Sequence, residues 1–342
     1  DDDDAPLIQV TDRPQADVGF GHGLHGDGRL HPGFAALLAH PVAARARMGG
    51  MFIGIVLLAG ATSLPEVLTT ISAVFQGVPN LAAGNLLGSN MFNMFLLAVL
   101  DLVHYKHRLL RKAALRHALS GSLATFLIAM VVFFILADLD VQVGWLGGDS
   151  LLIILAYLAA VALLRGQSRD TSVAPPAEIP EGTPPLRRGV IGFVLAAVAL
   201  SVVTPWMVNS SSRIADITGL GTTFIGTTLV ALVTSLPELV TTLTAARLGA
   251  DDMAIGNLFG SNLFNMFALG LTDVFYLQGR FLGVIDPAFL LVGMLGLLMT
   301  GMGLIGNLAR LERRLFILEL DAMALILVYF GGLWLLFTRG VG

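Results

Sequence analysis

The sequence predicts an all-α membrane protein made of two helical halves repeated in inverted topology. Three observations lead to that fold class. Long apolar runs occupy most of the chain from Met51 onward. A proline-broken acidic motif occurs twice, as Thr62-Ser63-Leu64-Pro65-Glu66 and as Thr234-Ser235-Leu236-Pro237-Glu238, at a spacing of 172 residues. Five apolar runs begin between Met51 and Thr223, an odd number, so the two copies cross the membrane in opposite directions.

Composition fits this class and removes several others. Of 342 residues, 55% are hydrophobic and 13% charged, and the mean hydropathy of +0.80 lies well above that of an ordinary globular domain. The net charge of −4 owes much to the run of aspartates at the start, and no basic groove points to nucleic acid as a partner. Cysteine is absent, which removes disulfides, thiolate catalysis and cysteine-based metal sites.

Residues 1–48 are polar, Gly-rich and dotted with histidines, and are expected to form an N-terminal tail. His22, His25 and His31 are read as solvated side chains in that tail, not as metal ligands. Gly33 to Ala44 is expected as a short amphipathic helix on the membrane surface. The apolar runs then follow at 51–75, 82–103, 115–137, 144–164, 190–212, 223–247, 254–276, 282–306 and 315–337, nine predicted spans. At 1.5 Å per residue each can cross roughly 30 Å of hydrocarbon. Between the fourth and fifth lies a Pro-rich polar linker, 165–188, which divides a first membrane half (49–164) from a second (189–342).

Basic residues set the orientation. Lys106, Arg108, Arg111, Lys112 and Arg116 follow the second run; Arg165, Arg169, Arg187 and Arg188 lie in the linker; Arg310, Arg313 and Arg314 precede the last run. Alternating spans put all three groups on one side, which the positive-inside rule makes cytoplasmic, together with residues 1–48.

A carboxylate facing lipid costs several kcal/mol, so acids within spans turn inward and mark ion or substrate paths. Proline there removes one intrahelical bond and frees a carbonyl one turn back. Glu66 and Glu238 together supply −2, the charge that neutralises one divalent ion. Thr62, Ser63, Thr234 and Ser235 add hydroxyls, and Asn85 and Asn257 add amide oxygens, so every donor is a hard oxygen. Such a set suits sodium, calcium or magnesium over zinc or copper, and a dry site of this kind favours calcium over the reluctantly dehydrated magnesium. Gly84-x-x-x-Gly88 and Gly256-x-x-x-Gly260 are read mainly as close-packing positions. Asn93 and Asn265 divide evenly between interhelical bonding and ligation. The 172-residue register also pairs Asp101 with Asp273 and Asp149 with Asp321, read as acids solvated near span ends.

At these residues the sequence resembles the calcium/cation antiporter superfamily, specifically its prokaryotic sodium/calcium exchanger-like members. The carriers are Ala61 to Glu66 with Gly84 to Asn90, and their counterparts Val233 to Glu238 with Gly256 to Asn262, similar to that family's two alpha-repeats. The resemblance implies ten spans in two inverted five-helix halves, a multi-pass protein of the cell (inner) membrane, and ions held centrally between the repeats. It makes Glu66 and Glu238 shared ligands of Ca²⁺ and Na⁺, with Thr62, Ser63, Thr234 and Ser235 lining the neighbouring sites and Asn85 beside them; at Asn257 the sequence departs from the pattern, because well-known sodium/calcium exchangers carry aspartate there. The family's first helix finds no counterpart before Met51. The implied activity is secondary antiport of Ca²⁺ against Na⁺, with no catalytic residues and no cofactor, Ca²⁺ and Na⁺ being transported ions. Ca²⁺/H⁺ exchange is the alternative. A cation channel fits the inverted repeat less well, and a hydrolase lacks a histidine placed to activate either motif serine.

Overall fold

The structure is a computed structural model describing residues 53–103, 109–170, 186–247, 250–309, 314–315 and 318–339. The tail 1–48 and the centre of the linker, 171–185, lie outside the described residues.

The chain is nearly all helix. A π-helical turn, Ile53–Leu58, leads into α1 (Ala59–Thr62) and α2 (Leu64–Phe75). Then come α3 (Pro79–Val103), α4 (Leu109–Ala137), a hairpin of β1 (Gln142–Val143) and β2 (Leu146–Gly147), and α5 (Gly148–Asp170). After α6 (Leu186–Thr218), α7 (Gly221–Ile225), a π-turn Gly226–Val230 and α8 (Ala231–Thr234) lead to α9 (Leu236–Arg247) and α10 (Asp251–Phe275). The chain closes with α11 (Phe281–Val284), α12 (Phe289–Ala309), a hairpin of β3 (Arg314–Leu315) and β4 (Leu318–Glu319), and α13 (Leu320–Thr338).

The 172-residue register of the motifs extends to the architecture. Displaced by that amount, the bounds of α1, α2 and α3 become those of α8, α9 and α10, and the first hairpin becomes the second. Both hairpins are antiparallel, pairing Gln142 with Gly147 and Arg314 with Glu319. Stacked aromatics obey the same register. Tyr157 on α5 lies 4.5 Å from Phe267 on α10, and Tyr329 on α13 lies 4.7 Å from Phe95 on α3. Each late helix of a half is thereby fixed to a central one.

Among the described residues, six helices are long and apolar enough to cross a membrane, and eight if each broken pair counts as one span. The run 254–276 does form a helix, α10, but it is not among them by length and composition. Asn257, Ser261, Asn262 and Asn265 thin its apolar character, and all four are buried against neighbouring helices. The linker is shorter than its composition suggested, since α5 continues to Asp170 and α6 begins at Leu186.

Two further readings are corrected. Asp273 and Asp149 are buried, not solvated at span ends. The first hairpin folds across the end of α10, and Asp273 accepts hydrogen bonds from the N–H groups of Gly147 (2.5 Å) and Phe281 (2.6 Å). Arg280 pairs there with Asp138 and lies 3.5 Å from Asp149. His117 is fully buried in α4 with Nε2 3.5 Å from Asp252.

Candidate functional site

Pro65 and Pro237 have no N–H to donate, so each helix must restart at the motif. The helix axis turns by 48° between α1 and α2 and by 42° between α8 and α9. Ser63 and Ser235 occupy the two breaks with φ near −85° and ψ near 10°, outside helical geometry. Each glutamate follows in the first turn of the restarted helix, where the helix dipole favours an anion.

Glycine brings the breaks close to the centre. A β-carbon on Gly84 of α3 would lie 2.8 Å from the backbone nitrogen of Thr227, and one on Gly226 would lie 2.9 Å from the Leu81 carbonyl. Gly88 is equally tight against Thr227. The close-packing reading of Gly84 and Gly88 is correct, and their partner is the π-turn of the other half.

The two breaks face each other. Ser63 Oγ donates to Glu238 Oε1 at 2.8 Å, and Ser235 Oγ donates to Glu66 Oε1 at 2.9 Å. Thr234 Oγ1 donates to Asn85 Oδ1 at 2.9 Å, and Thr62 Oγ1 to Asn257 Oδ1 at 3.3 Å. Every one of these bonds joins one half to the other, and each has its counterpart 172 residues away. The Asn85 amide N–H groups are held by the Glu66 carbonyl and Thr70, and the Asn257 amide donates to Thr242. All eight residues singled out in the sequence therefore meet in one buried place, with Glu66 and Glu238 at 1% and 0% exposure.

Other polar groups share it. Ser89 and Ser261 hydroxyls lie 3.5 Å from Glu66 Oε1 and Glu238 Oε1. One turn further, Asn93 Nδ2 donates to Asn262 Oδ1 and Asn265 Nδ2 donates to Asn90 Oδ1, both at 3.0 Å. The sequence signal for these residues is periodicity. Positions 85, 89 and 93, and 257, 261 and 265, fall at successive fours on one face of α3 and of α10.

Four buried oxygens here have no hydrogen-bond donor: Glu66 Oε2, Glu238 Oε2, Asn93 Oδ1 and Asn265 Oδ1. An unpaired buried carboxylate oxygen is costly, and a cation removes that cost. Of the two roles weighed for Asn93 and Asn265, the interhelical bond is made through the amide nitrogen, and the amide oxygen is left unpaired.

A family model described as sodium/calcium exchanger protein matches residues 34–165 and 188–338. The putative antiporter CaxA of Alkalimonas amylolytica is 28% identical over 312 residues, covering 88% of this chain and 92% of that protein. The inner membrane protein YrbG of Escherichia coli K12 is 31% identical over 229 residues, covering 65% of this chain and 68% of that one. Among solved structures, the sodium-calcium exchanger NCX_Mj superposes with a TM-score of 0.56 at 20% identity, covering 88% of this chain and 92% of that one. At that identity the likeness is one of fold.

Proposed function

We propose that this chain, which belongs to the sodium/calcium exchanger protein family, is a secondary antiporter that moves Ca²⁺ against Na⁺ across the inner membrane. Membership makes it a multi-pass membrane transporter of the calcium/cation class. The choice of Na⁺ as counter-ion is the finer part of the proposal. One observation carries the site: four unpaired buried oxygens, two from each half, of which two belong to the paired carboxylates and two to the amides of Asn93 and Asn265. Calcium takes six to eight oxygens at about 2.3–2.6 Å, and the carboxylates, amides and hydroxyls gathered here are of that kind.

The nine apolar runs are read as spans, with the seventh, α10, added to the eight of apolar character and crossing through protein instead of lipid. Five of them begin before the run that carries the second motif, so the halves run oppositely, and the paired hydrogen bonds support that inversion. Each glutamate then sits near the midplane on the pseudo-two-fold axis. No step requires covalent chemistry or a resident cofactor. The ion exchanges its water for protein oxygens, and opposite ends open in turn.

Charge bears on the coupling. Glu66 and Glu238 give −2, and the amides at 85, 93, 257 and 265 are neutral. One Ca²⁺ or two monovalent ions neutralise the site. This same arithmetic keeps Ca²⁺/H⁺ exchange as a second reading, because each carboxylate can carry one proton in place of Na⁺. Ca²⁺ uptake into proteoliposomes, run with an outward Na⁺ gradient, an outward H⁺ gradient or neither, tests the proposal. Na⁺-driven accumulation is expected. Acceleration by H⁺ alone would replace Na⁺ with H⁺, and equal rates without either gradient would point to a channel.

A further inference from the structure

The two-fold match of the halves holds at the breaks and fails in the next polar layer. At the breaks each serine and threonine bond has its twin. The asparagines beyond them form two cross-pairs, Asn93 with Asn262 and Asn265 with Asn90. One pair is anchored from outside. Asn262 Nδ2 donates to Thr300 Oγ1 at 3.2 Å, and the Asn90 carbonyl lies 3.4 Å from the same nitrogen. Asn90 Nδ2, by contrast, is buried with no acceptor. The register shows why. Displaced by 172, position 300 becomes 128, an isoleucine. Thr300 on α12 and Ile128 on α4 are both fully buried, so a hydroxyl stands in one half where hydrocarbon stands in the other.

A side-chain amide carries donors at one end and an acceptor at the other, so reversing it exchanges what it presents. Its terminal torsion is soft and roughly two-fold, which makes reversal a local step. Asn90 and Asn265 can reverse together. Asn90 Nδ2 then donates to Asn265 Oδ1, the pair keeps its one hydrogen bond, and one end of Asn90 is unpaired before and after. The consequence lies at the far end of the pair, where Asn265 presents N–H groups in place of its unpaired oxygen. Asn93 and Asn262 have no such freedom. Reversal would turn Asn262 Oδ1 onto Thr300 Oγ1 and the Asn90 carbonyl. Thr300 already donates its hydrogen to the Gly296 carbonyl at 2.7 Å, so three oxygens would meet with no hydrogen among them. Buried polar groups left unpaired in this way bear their full desolvation cost.

We propose that Thr300 is a positioning residue that holds Asn93 with its oxygen toward the ion, while the Asn90–Asn265 pair, with Ile128 in the twin place, alternates between presenting an oxygen and presenting N–H groups. The inference rests on the cation-site reading above. It gives the halves unequal parts in one site: a fixed amide acceptor from the first and a convertible one from the second. A cation selects the oxygen-presenting state, and the reversed state disfavours its return.

The direct test needs no variant. In the cation-free chain in detergent, with asparagine labelled at the side-chain nitrogen, NMR relaxation dispersion is expected to show microsecond-to-millisecond exchange at Asn90 and Asn265 and none at Asn93 and Asn262. Exchange at both pairs, or at neither, overturns the proposal. Thr300→Val keeps the side chain's size and removes its hydroxyl. It is expected to bring exchange to Asn93 and Asn262 and to weaken Ca²⁺ binding roughly two- to tenfold, the equilibrium worth of about one hydrogen bond. Thr300→Ser keeps the hydroxyl and is expected to match the wild type in both readouts. A serine variant as weak as the valine one would mean that Thr300 acts by packing alone, and the idea sinks. Ile128→Thr supplies the missing acceptor and is expected to quiet Asn90 and Asn265. Continued exchange there, in a variant shown by its melting curve to be folded, refutes the asymmetry. Failure of the calcium reading would look different: the wild type would give no saturable heat on Ca²⁺ titration, while the amide signals, which need no ion, would still decide the part played by Thr300.

Discussion

Replacing Glu66 or Glu238 by glutamine removes one charge and changes the shape of the site very little. The amide keeps an oxygen to accept from Ser235 or Ser63, so the serine bonds across the two breaks persist. Calcium then faces −1 instead of −2 among neutral oxygens. Removing one partner from a buried ionic arrangement typically costs about 3–5 kcal/mol, which at about 1.4 kcal/mol per decade is a loss of roughly 10² to 10⁴ in affinity. Glu66→Gln and Glu238→Gln are each expected to lose Ca²⁺ binding by that factor, and the double variant to be little worse than either, because groups acting as one unit are not additive. Stability is expected to move the other way. Without a cation, two buried carboxylates with unpaired oxygens oppose folding, so each single variant should melt at or above the wild-type temperature in Ca²⁺-free detergent. Calorimetric Ca²⁺ titration and thermal unfolding on the same samples measure both effects. A single variant with wild-type Ca²⁺ affinity would refute the shared site. Lost binding accompanied by a large drop in melting temperature would mean that the acids are structural.

In the proposed site protons and Ca²⁺ would compete for the same two carboxylates, so the apparent Ca²⁺ affinity is expected to weaken as pH falls and to lose this dependence in the double glutamine variant, as read by titrations across pH. Because the site's charge is −2, exchange of two monovalent ions per Ca²⁺ moves no net charge; imposing a K⁺ diffusion potential with valinomycin should leave the Ca²⁺ flux unchanged, and a potential-driven change would require a third counter-ion. Gly84→Ala puts a methyl against the Thr227 backbone, an overpacking expected to cost about 1–3 kcal/mol, visible as a lowered melting temperature; an unchanged value would mean that the crossing is looser than the structure has it. Ser168→Cys is expected to resist an impermeant thiol reagent in intact cells and to react after lysis, and labelling in intact cells would reverse the orientation.

Much of the site was legible in the sequence because the repeat states it twice. A single TSLPE in an apolar run is ambiguous. Two copies in one register limit the geometry, since each residue's environment must be reproduced by its twin, and Ser63 with Glu238 and Ser235 with Glu66 are that condition realised as hydrogen bonds. Register alone does not give direction along a side chain. The amides of Asn85 and Asn93 are chemically alike and two turns apart on one helix, yet Thr234 occupies the oxygen of Asn85, whereas the Asn93 oxygen has no donor. That difference depends on which helix crosses at each level, a tertiary fact with no local signature. The misread aspartates fail for a related reason. Position near a span end suggested solvent for Asp149 and Asp273, but a six-residue hairpin, invisible to any hydrophobic period, caps that end and supplies N–H donors instead of water. Interhelical geometry likewise explains why α10 is too polar to pass as a span by composition: its polar residues point at the other half and its backbone is enclosed by neighbours, so the transfer cost that hydropathy measures is never incurred. A helix too polar to pass as a span by composition is therefore the one carrying half of the candidate site, and its low apolar content follows from turning its polar residues to the other half where other helices meet lipid.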